Sequence, residues 1–409
     1  LKKRVAQLIT RFWWGPVAIL FLAQFLSGAV SSPQRSLLPV YMERDLLYSA
    51  LLISILSSSR QLLGMVASLV GGTLCDTMGR RRTFVWGLSG IVAGSILFFL
   101  DSPWLVVLVY SYVGFSLGLR TVGGQGYLIS AARSESLGVL SALYTWGMTL
   151  GGALGNAVAG PIVDRTSFGT FGTLAFAVST AVVLGVAWLL PEISEPQRAL
   201  ESTGGLRNAF GYGDLLRRRR VLLLGSLRFL PTCYWGVAGI FIPLWLFETT
   251  QSVSLVAWYG TVSQIVASLA QWVVGRVSDR IGRRIPTLIA LALLAASILG
   301  LSLSGGRVWA IYFFGTLAAS SAWSMSALIP GLVSDTVQDA LRGRVLGFLH
   351  LLWNGGMLVG SLTGGVLFAT SHALPFQITA ALNGLALVLG FRFFRRLQQH
   401  GDAPETEPA

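Results

Sequence analysis

Arg35, Arg60, Arg120 and Arg228 each fall inside a long, otherwise apolar run. A guanidinium buried in such a run costs about 2.5–3.5 kcal/mol or more, and it normally faces a cavity, a partner or a bundle interior. The carboxylates do not follow them: the acidic residues fall in the breaks between runs or near the ends of the chain. Asp164, at the edge of its run, comes nearest to an exception. No ion-pair partner is therefore evident for the four, and no carboxylate stands ready for a cation. Tyr144, Trp146, Tyr234, Trp235, Trp323, Trp353, Gln125 and Asn354 share the apolar runs with them. This set suits an organic anion with an apolar body, gripped by guanidiniums and flanked by aromatic rings. A structural reading competes at each position. Arg35 follows Pro33 and Arg228 precedes Pro231, where a broken helix leaves carbonyls to be bonded. His350 could relay a proton or be an interior histidine satisfied by its neighbours.

The elements that position these residues follow from composition. The chain has 409 residues, of which 53% are hydrophobic and only 11% charged. A soluble domain carries about 25% charged residues, so disorder, a fibre and an ordinary cytosolic enzyme are excluded. Unbroken apolar runs of about 20 residues predict transmembrane helices, and a barrel would need alternating strands. The runs predict an all-α polytopic membrane protein with spans near 14–41, 50–73, 83–100, 104–129, 138–160, 171–190, 220–246, 255–275, 286–303, 308–330, 344–369 and 374–393. The first could instead be a shorter helix plus a loop. Domains are expected at 1–190 (six helices), 191–219 (a cytoplasmic linker, solvated or lying on the inner leaflet) and 220–394 (six helices), with a tail at 395–409. Alternate breaks hold most of the arginines, such as Arg80 to Arg82, Arg217 to Arg220 and Arg283 with Arg284. The opposite breaks hold only Arg44, Arg165 and Arg307. Under the positive-inside rule both ends of the chain are cytoplasmic. The charge excess, +13, is thereby explained without nucleic acid. No cleavable signal peptide is read at the start. Two cysteines, Cys75 and Cys233, make neither a disulfide framework nor a metal-ligand pattern.

The chain repeats itself. Gly72-Thr73-Leu74-Cys75-Asp76-Thr77-Met78-Gly79-Arg80-Arg81 recurs as Gly275-Arg276-Val277-Ser278-Asp279-Arg280-Ile281-Gly282-Arg283-Arg284. Gly147-Met148 with Gly151 and Gly155 is echoed by Gly356-Met357 with Gly360 and Gly364. Echoes at nearly one period imply two six-helix bundles related by an axis along the membrane normal, as in alternating-access carriers. With these residues the chain resembles the major facilitator superfamily over essentially its whole length. Gly72, Leu74, Asp76, Gly79, Arg80 and Arg81 match the family's loop signature, while Thr77 departs from its usual basic residue, which Arg280 keeps in the second copy. The resemblance implies that Gly72, Asp76, Gly79, Arg80, Arg81, Gly275, Asp279, Arg280, Gly282, Arg283 and Arg284 gate the transport cycle. Physically, a carboxylate near the inner surface can cap a neighbouring helix N-terminus and latch the inner ends of the halves. The glycines of spans 5 and 11 are expected at the seam between the halves. Span 5, with Gly160-Pro161, loosely resembles an exporter motif.

The expected function is secondary transport of a small organic or amphiphilic anion through a central cavity. The alternatives are a proton-coupled multidrug, sugar or metabolite efflux antiporter, and a non-transporting sensor or scaffold. No enzyme activity, cofactor or metal is expected, since no nucleotide loop occurs. The expected partners are a small-molecule substrate, the lipid bilayer, and protons or a counter-anion. A monomer is expected, in a bacterial inner membrane.

Overall fold

A computed structural model describes residues 15–131, 137–192 and 215–399. These residues form twelve long helices: α1 (Pro16–Arg44), α2 (Ala50–Met78), α3 (Arg80–Ile96), α4 (Pro103–Ala131), α5 (Leu137–Arg165) and α6 (Phe168–Leu189), then α7 (Arg219–Thr250), α8 (Val253–Ile281), α9 (Arg284–Ser302), α10 (Val308–Thr336), α11 (Asp339–Thr370) and α12 (Leu374–Gln399). Among the described residues, eleven of them are long and apolar enough to cross a bilayer. The linker and tail expected from sequence lie largely outside the described residues.

Local chemistry sets the ends of the helices. Ser49, Ser167 and Ser252 cap α2, α6 and α8, each hydroxyl accepting a hydrogen bond from a first-turn N–H, which satisfies donors a helix start leaves unpaired. Gly79 and Gly282 stand between α2 and α3 and between α8 and α9 with φ of 86° and 80°. Only glycine adopts this conformation cheaply. The turn is therefore one residue in the first copy and two, Gly282 and Arg283, in the second, and Asp76 and Asp279 belong to the last helical turn before it, not to a loop. The helices project beyond the apolar runs, which is why the spans read from hydropathy end early. α1 stays helical through Pro33 and Pro39, so the shorter-helix alternative is not what forms. Helix interruptions by proline are tolerated where neighbouring helices enclose the backbone.

The repeat appears as matched pairing. α1 packs on α5, α2 on α4 and α3 on α6; α7 packs on α11, α8 on α10 and α9 on α12 in the same pattern. The two sets meet through α5 against α8 and α2 against α11, again a matched pair, with α1 also touching α7 and α8. The span 5 glycines divide between two tasks. Gly151 and Gly155 face α1, where an added Cβ would stand 1.8 Å and 1.9 Å from the carbonyl oxygens of Phe25 and Ala29. Gly152 and Gly160 face α8 across the seam, at Gln264 and Ser254. The glycine stripe thus serves helix contact within one set as much as the seam. In α11, Gly360 faces Cys233 of α7, and Gly365 faces Ser54 of α2 across the seam.

At the end opposite the arginine-rich loops the seam is sealed. Asp164, closing α5, accepts hydrogen bonds from the backbone N–H groups of Val253 (3.0 Å) and Ser254 (2.8 Å) and from the Ser252 hydroxyl (3.3 Å). A carboxylate from one set thus caps the N-terminus of α8 in the other, where the helix dipole favours negative charge. Further in, the Thr261 hydroxyl donates to the Ala153 carbonyl at 2.9 Å, and Ser58 pairs with Ser361 at 2.7 Å.

Candidate functional site

Three of the four embedded arginines converge. Arg35 (α1), Arg60 (α2) and Arg120 (α4) lie close enough for their charges to repel one another. Arg120 is buried to 4% exposure. Its helix is held tightly: an added Cβ on Gly87 of α3 would meet the Arg120 backbone N at 2.2 Å. Arg60 lies over the ring of Tyr110, 5.8 Å from its centroid, a cation–π arrangement. No carboxylate pairs with any of the three among the described residues. Tyr144 from α5 comes into this group: its hydroxyl touches the position where Gly124 would carry a Cβ, and that buried hydroxyl has no hydrogen-bond partner. Buried polar groups are normally bonded, so here positive charge and an unpartnered hydroxyl lie together.

Other buried polar groups on the same helices were not read from the sequence. Gln24, Ser27 and Ser31 follow one another on α1 at helical spacing ahead of Arg35, and Ser116 stands one turn before Arg120 on α4. Each of these four side chains has a buried oxygen without a hydrogen-bond partner. Polar residues recurring every three or four positions in an apolar helix are the signal that could have found them.

Arg228 lies apart from the three, on α7. It donates to the Ser326 hydroxyl at 2.9 Å and lies 5.5 Å from the centroid of the Trp353 ring. Trp353 also neighbours His350 at 5.2 Å, and Trp235 meets Trp323 edge-on at 5.3 Å. Trp235 and Arg228 line one small cleft between α7 and α10. This second group is a charge set in an aromatic wall. Asn354 uses its amide to donate to the His350 carbonyl at 3.0 Å and approaches Gly64 of α2 across the seam.

Two expected site residues belong elsewhere. Tyr234 has no exposure, and its hydroxyl reaches the Gly315 carbonyl at 3.4 Å; it is core between α7 and α10. Trp146 shares an exposed stripe with Leu150, Leu154 and Val158, the face of α5 turned from both α1 and α8, as a lipid-facing surface should be. Gln125 is exposed on α4.

At the arginine-rich end the two motif copies make matching bonds within their own sets. Arg80 donates to the Gly126 carbonyl at 3.1 Å and to the Ser130 hydroxyl near the end of α4. Arg283 donates to the Gly331 carbonyl at 2.8 Å, the Ser334 hydroxyl at 3.3 Å and the Asp335 carboxylate near the end of α10. A cation on the last carbonyls of a helix complements its dipole. Arg81 bonds the Ala187 carbonyl and Glu192. Arg280, Arg284 and Asp279 are exposed. Gly72 and Asp76 lie on α2, but their side-chain surroundings lie outside the described residues; Gly275 meets nothing within 4 Å.

Residues 20–245 and 224–409 each match the family model described as the Major Facilitator Superfamily. A mouse protein, solute carrier family 2, facilitated glucose transporter member 10, is 29% identical over 362 residues, covering 83% of this chain and 64% of that protein. The class C tetracycline resistance protein of Escherichia coli is 31% identical over 173 residues, 42% of this chain and 43% of that one. The chain therefore spans less than two thirds of the length of these relatives. Among solved structures, the nucleoside transporter NupG matches with a TM-score of 0.74 at 16% identity, over 94% of this chain and all of that one (100%). A POT family transporter in complex with a thioalcohol-conjugated peptide matches with a TM-score of 0.76 at 13% identity, over 93% and 96%. At such identities these structures speak for the fold.

Proposed function

The chain belongs to the major facilitator superfamily, whose members are membrane transporters and not enzymes, and on that premise we propose that its cargo is a small organic anion. The observation that carries this reading is the convergence of Arg35, Arg60 and Arg120 without a carboxylate. Uncompensated positive charge at that depth is costly, and a substrate carboxylate, phosphate or sulfate would neutralise it through charge-assisted hydrogen bonds. The aromatic wall around Arg228 would take the apolar body of the same molecule. Transport proceeds by rocking the two six-helix halves around this central position, in a bacterial inner membrane with both chain ends cytoplasmic. Exchange of one anion for another needs no further site. The test is ligand-induced stabilisation of the purified protein by matched organic anions and cations. Anions should raise the melting temperature, and cations of the same apolar body should not. A rise with cations alone would favour the multidrug efflux reading, which the similarity to tetracycline resistance proteins keeps in view.

Asp76 and Asp279, on the last turns of α2 and α8, are assigned the inner latch, with the positive-φ glycines Gly79 and Gly282 as pivots beside them. Replacing Asp76 by Asn should widen the distance distribution across the cytoplasmic mouth and slow uptake into proteoliposomes, with the melting temperature held. An unchanged distribution with full transport removes the assignment.

A further inference from the structure

A groove runs between α8 and α10, and none of the four embedded arginines lines it. Its volume is about 1220 Å³, above the ~300–1,000 Å³ of an ordinary small-molecule pocket. Trp258, Val262 and Val266 of α8 form one wall, and Trp309, Phe313 and Leu317 of α10 form the other. A spacing of four residues keeps each trio on one face of its helix. The two helices are tied here by the Tyr312 hydroxyl, which donates to the Leu255 carbonyl, and Tyr312 meets Tyr259 edge-on at 5.5 Å. Trp309 and Phe313 are 65% and 59% exposed, which in a bilayer means exposed to lipid. Arg307, the residue before α10, stands at the rim, at the end opposite the arginine-rich loops. From Arg307 to Leu317 the chain rises about 15 Å, half of the ~30 Å hydrocarbon layer. The groove therefore has the depth of one leaflet.

We propose that this groove binds an anionic phospholipid of the leaflet opposite the arginine-rich loops, its phosphate at Arg307 and its acyl chains along the two walls. Charge complementarity selects the headgroup. No acidic residue lines the groove, and among the described residues Arg307 has no ion-pair partner, whereas Arg44 at the same end is held by Asp45. The start of α10 acts in the same direction. No side chain caps it and its first turn holds no acid, so its free N–H groups favour the same phosphate. A zwitterionic headgroup brings its own cation to that phosphate and gains less from the guanidinium. Thr316, 8% exposed, is the polar side chain deep in the groove, and its hydroxyl has no hydrogen-bond partner. It lies about 13 Å along the helix from Arg307, too deep to meet the phosphate, so it takes no part in selecting the headgroup.

The test is site-resolved photolabelling of the full chain in nanodiscs of equal parts phosphatidylglycerol and phosphatidylcholine, with a diazirine in the acyl chain of one lipid or the other. Label on α8 and α10 is normalised to label on α6, whose exposed Leu184 and Trp188 report ordinary boundary lipid. In the parent, phosphatidylglycerol should label 258–266 and 309–317 about tenfold more than phosphatidylcholine does, the worth of one charge-assisted hydrogen bond. Arg307→Gln should bring that ratio down to the value on α6, and Arg307→Lys should recover part of it. Arg165→Gln, at the same end on α5, should leave it unchanged. Val262→Trp fills the groove from an exposed position and should cut labelling by both lipids. Thr316→Val should keep the ratio; its loss would place a polar guest at that hydroxyl and overturn the acyl-chain assignment. Equal labelling by the two lipids in the parent, an Arg307→Gln ratio equal to the parent's, or undiminished labelling of Val262→Trp also overturns the proposal. So does a groove that neither lipid labels, which would mean that another occupant, such as a second copy of the chain, covers it. No cargo is added, so the result is independent of the anion reading.

Discussion

Placing valine at Gly151 should leave almost no folded protein. The ideal Cβ position at this residue lies 1.8 Å from the Phe25 carbonyl oxygen, a backbone atom that cannot rotate away. α1 and α5 would have to separate by more than an ångström along their shared face, which also includes Gly155 against Ala29. Overpacking a tight core costs about 1–3 kcal/mol even where side chains can adjust. Here the obstacle is backbone on both sides, so the cost should reach the top of that range or exceed it, a large share of the ~5–15 kcal/mol that holds a domain together. The readout is the monodisperse fraction after detergent extraction, with the melting temperature of whatever survives. Gly384→Ala is the control, because nothing stands within 4 Å of its Cβ position; it should behave as the parent. If Gly151→Val and Gly384→Ala extract and melt alike, the close contact of α1 with α5 is wrong.

Arg60 gives the second large effect, on binding instead of folding. Arg60→Ala removes a guanidinium that the structure leaves without a carboxylate, over Tyr110 and near Arg35 and Arg120. Losing a charged hydrogen bond to an anion should cost about 1.5–3 kcal/mol, roughly tenfold to hundredfold in affinity. Arg60→Lys keeps the charge but loses the planar fork, so it should bind with intermediate affinity. The fold should tolerate both changes, since removing one of three mutually repelling charges relieves strain. Dissociation constants for one organic anion and one organic cation, on folded parent and both variants, separate the possibilities. A cation carrier would bind its substrate as well or better after Arg60→Ala. An anion held by Arg60→Ala as tightly as by the parent refutes the assigned role.

Hydropathy, charge bias and the doubled motif were enough to read twelve helices in two matched sets, because each signal is local. A bilayer demands about 20 apolar residues per crossing, and a repeat is visible by comparing a chain with itself. Those same signals misjudged where helices stop. Hydropathy measures the hydrocarbon layer, while α2 and α8 continue past it to the single glycines at positions 79 and 282, carrying Asp76 and Asp279 with them.

What the residues alone determined about this protein was therefore its class, its repeat and the presence of four embedded arginines without embedded acids. Which of these act together was decided only by tertiary structure. Arg35, Arg60 and Arg120 are far apart in sequence and converge because α1, α2 and α4 pack in one set, while Arg228 falls to the other. Tyr234 and Trp146 were indistinguishable from cavity aromatics until helix rotation turned one into core and the other outward. Arg80 and Arg283, read as topology and gating charges, bind the ends of α4 and α10 within their own sets. A helix's sequence states its periodicity but not its rotation or partner, and it is the packing of backbone on backbone at glycines such as Gly151 that sets both.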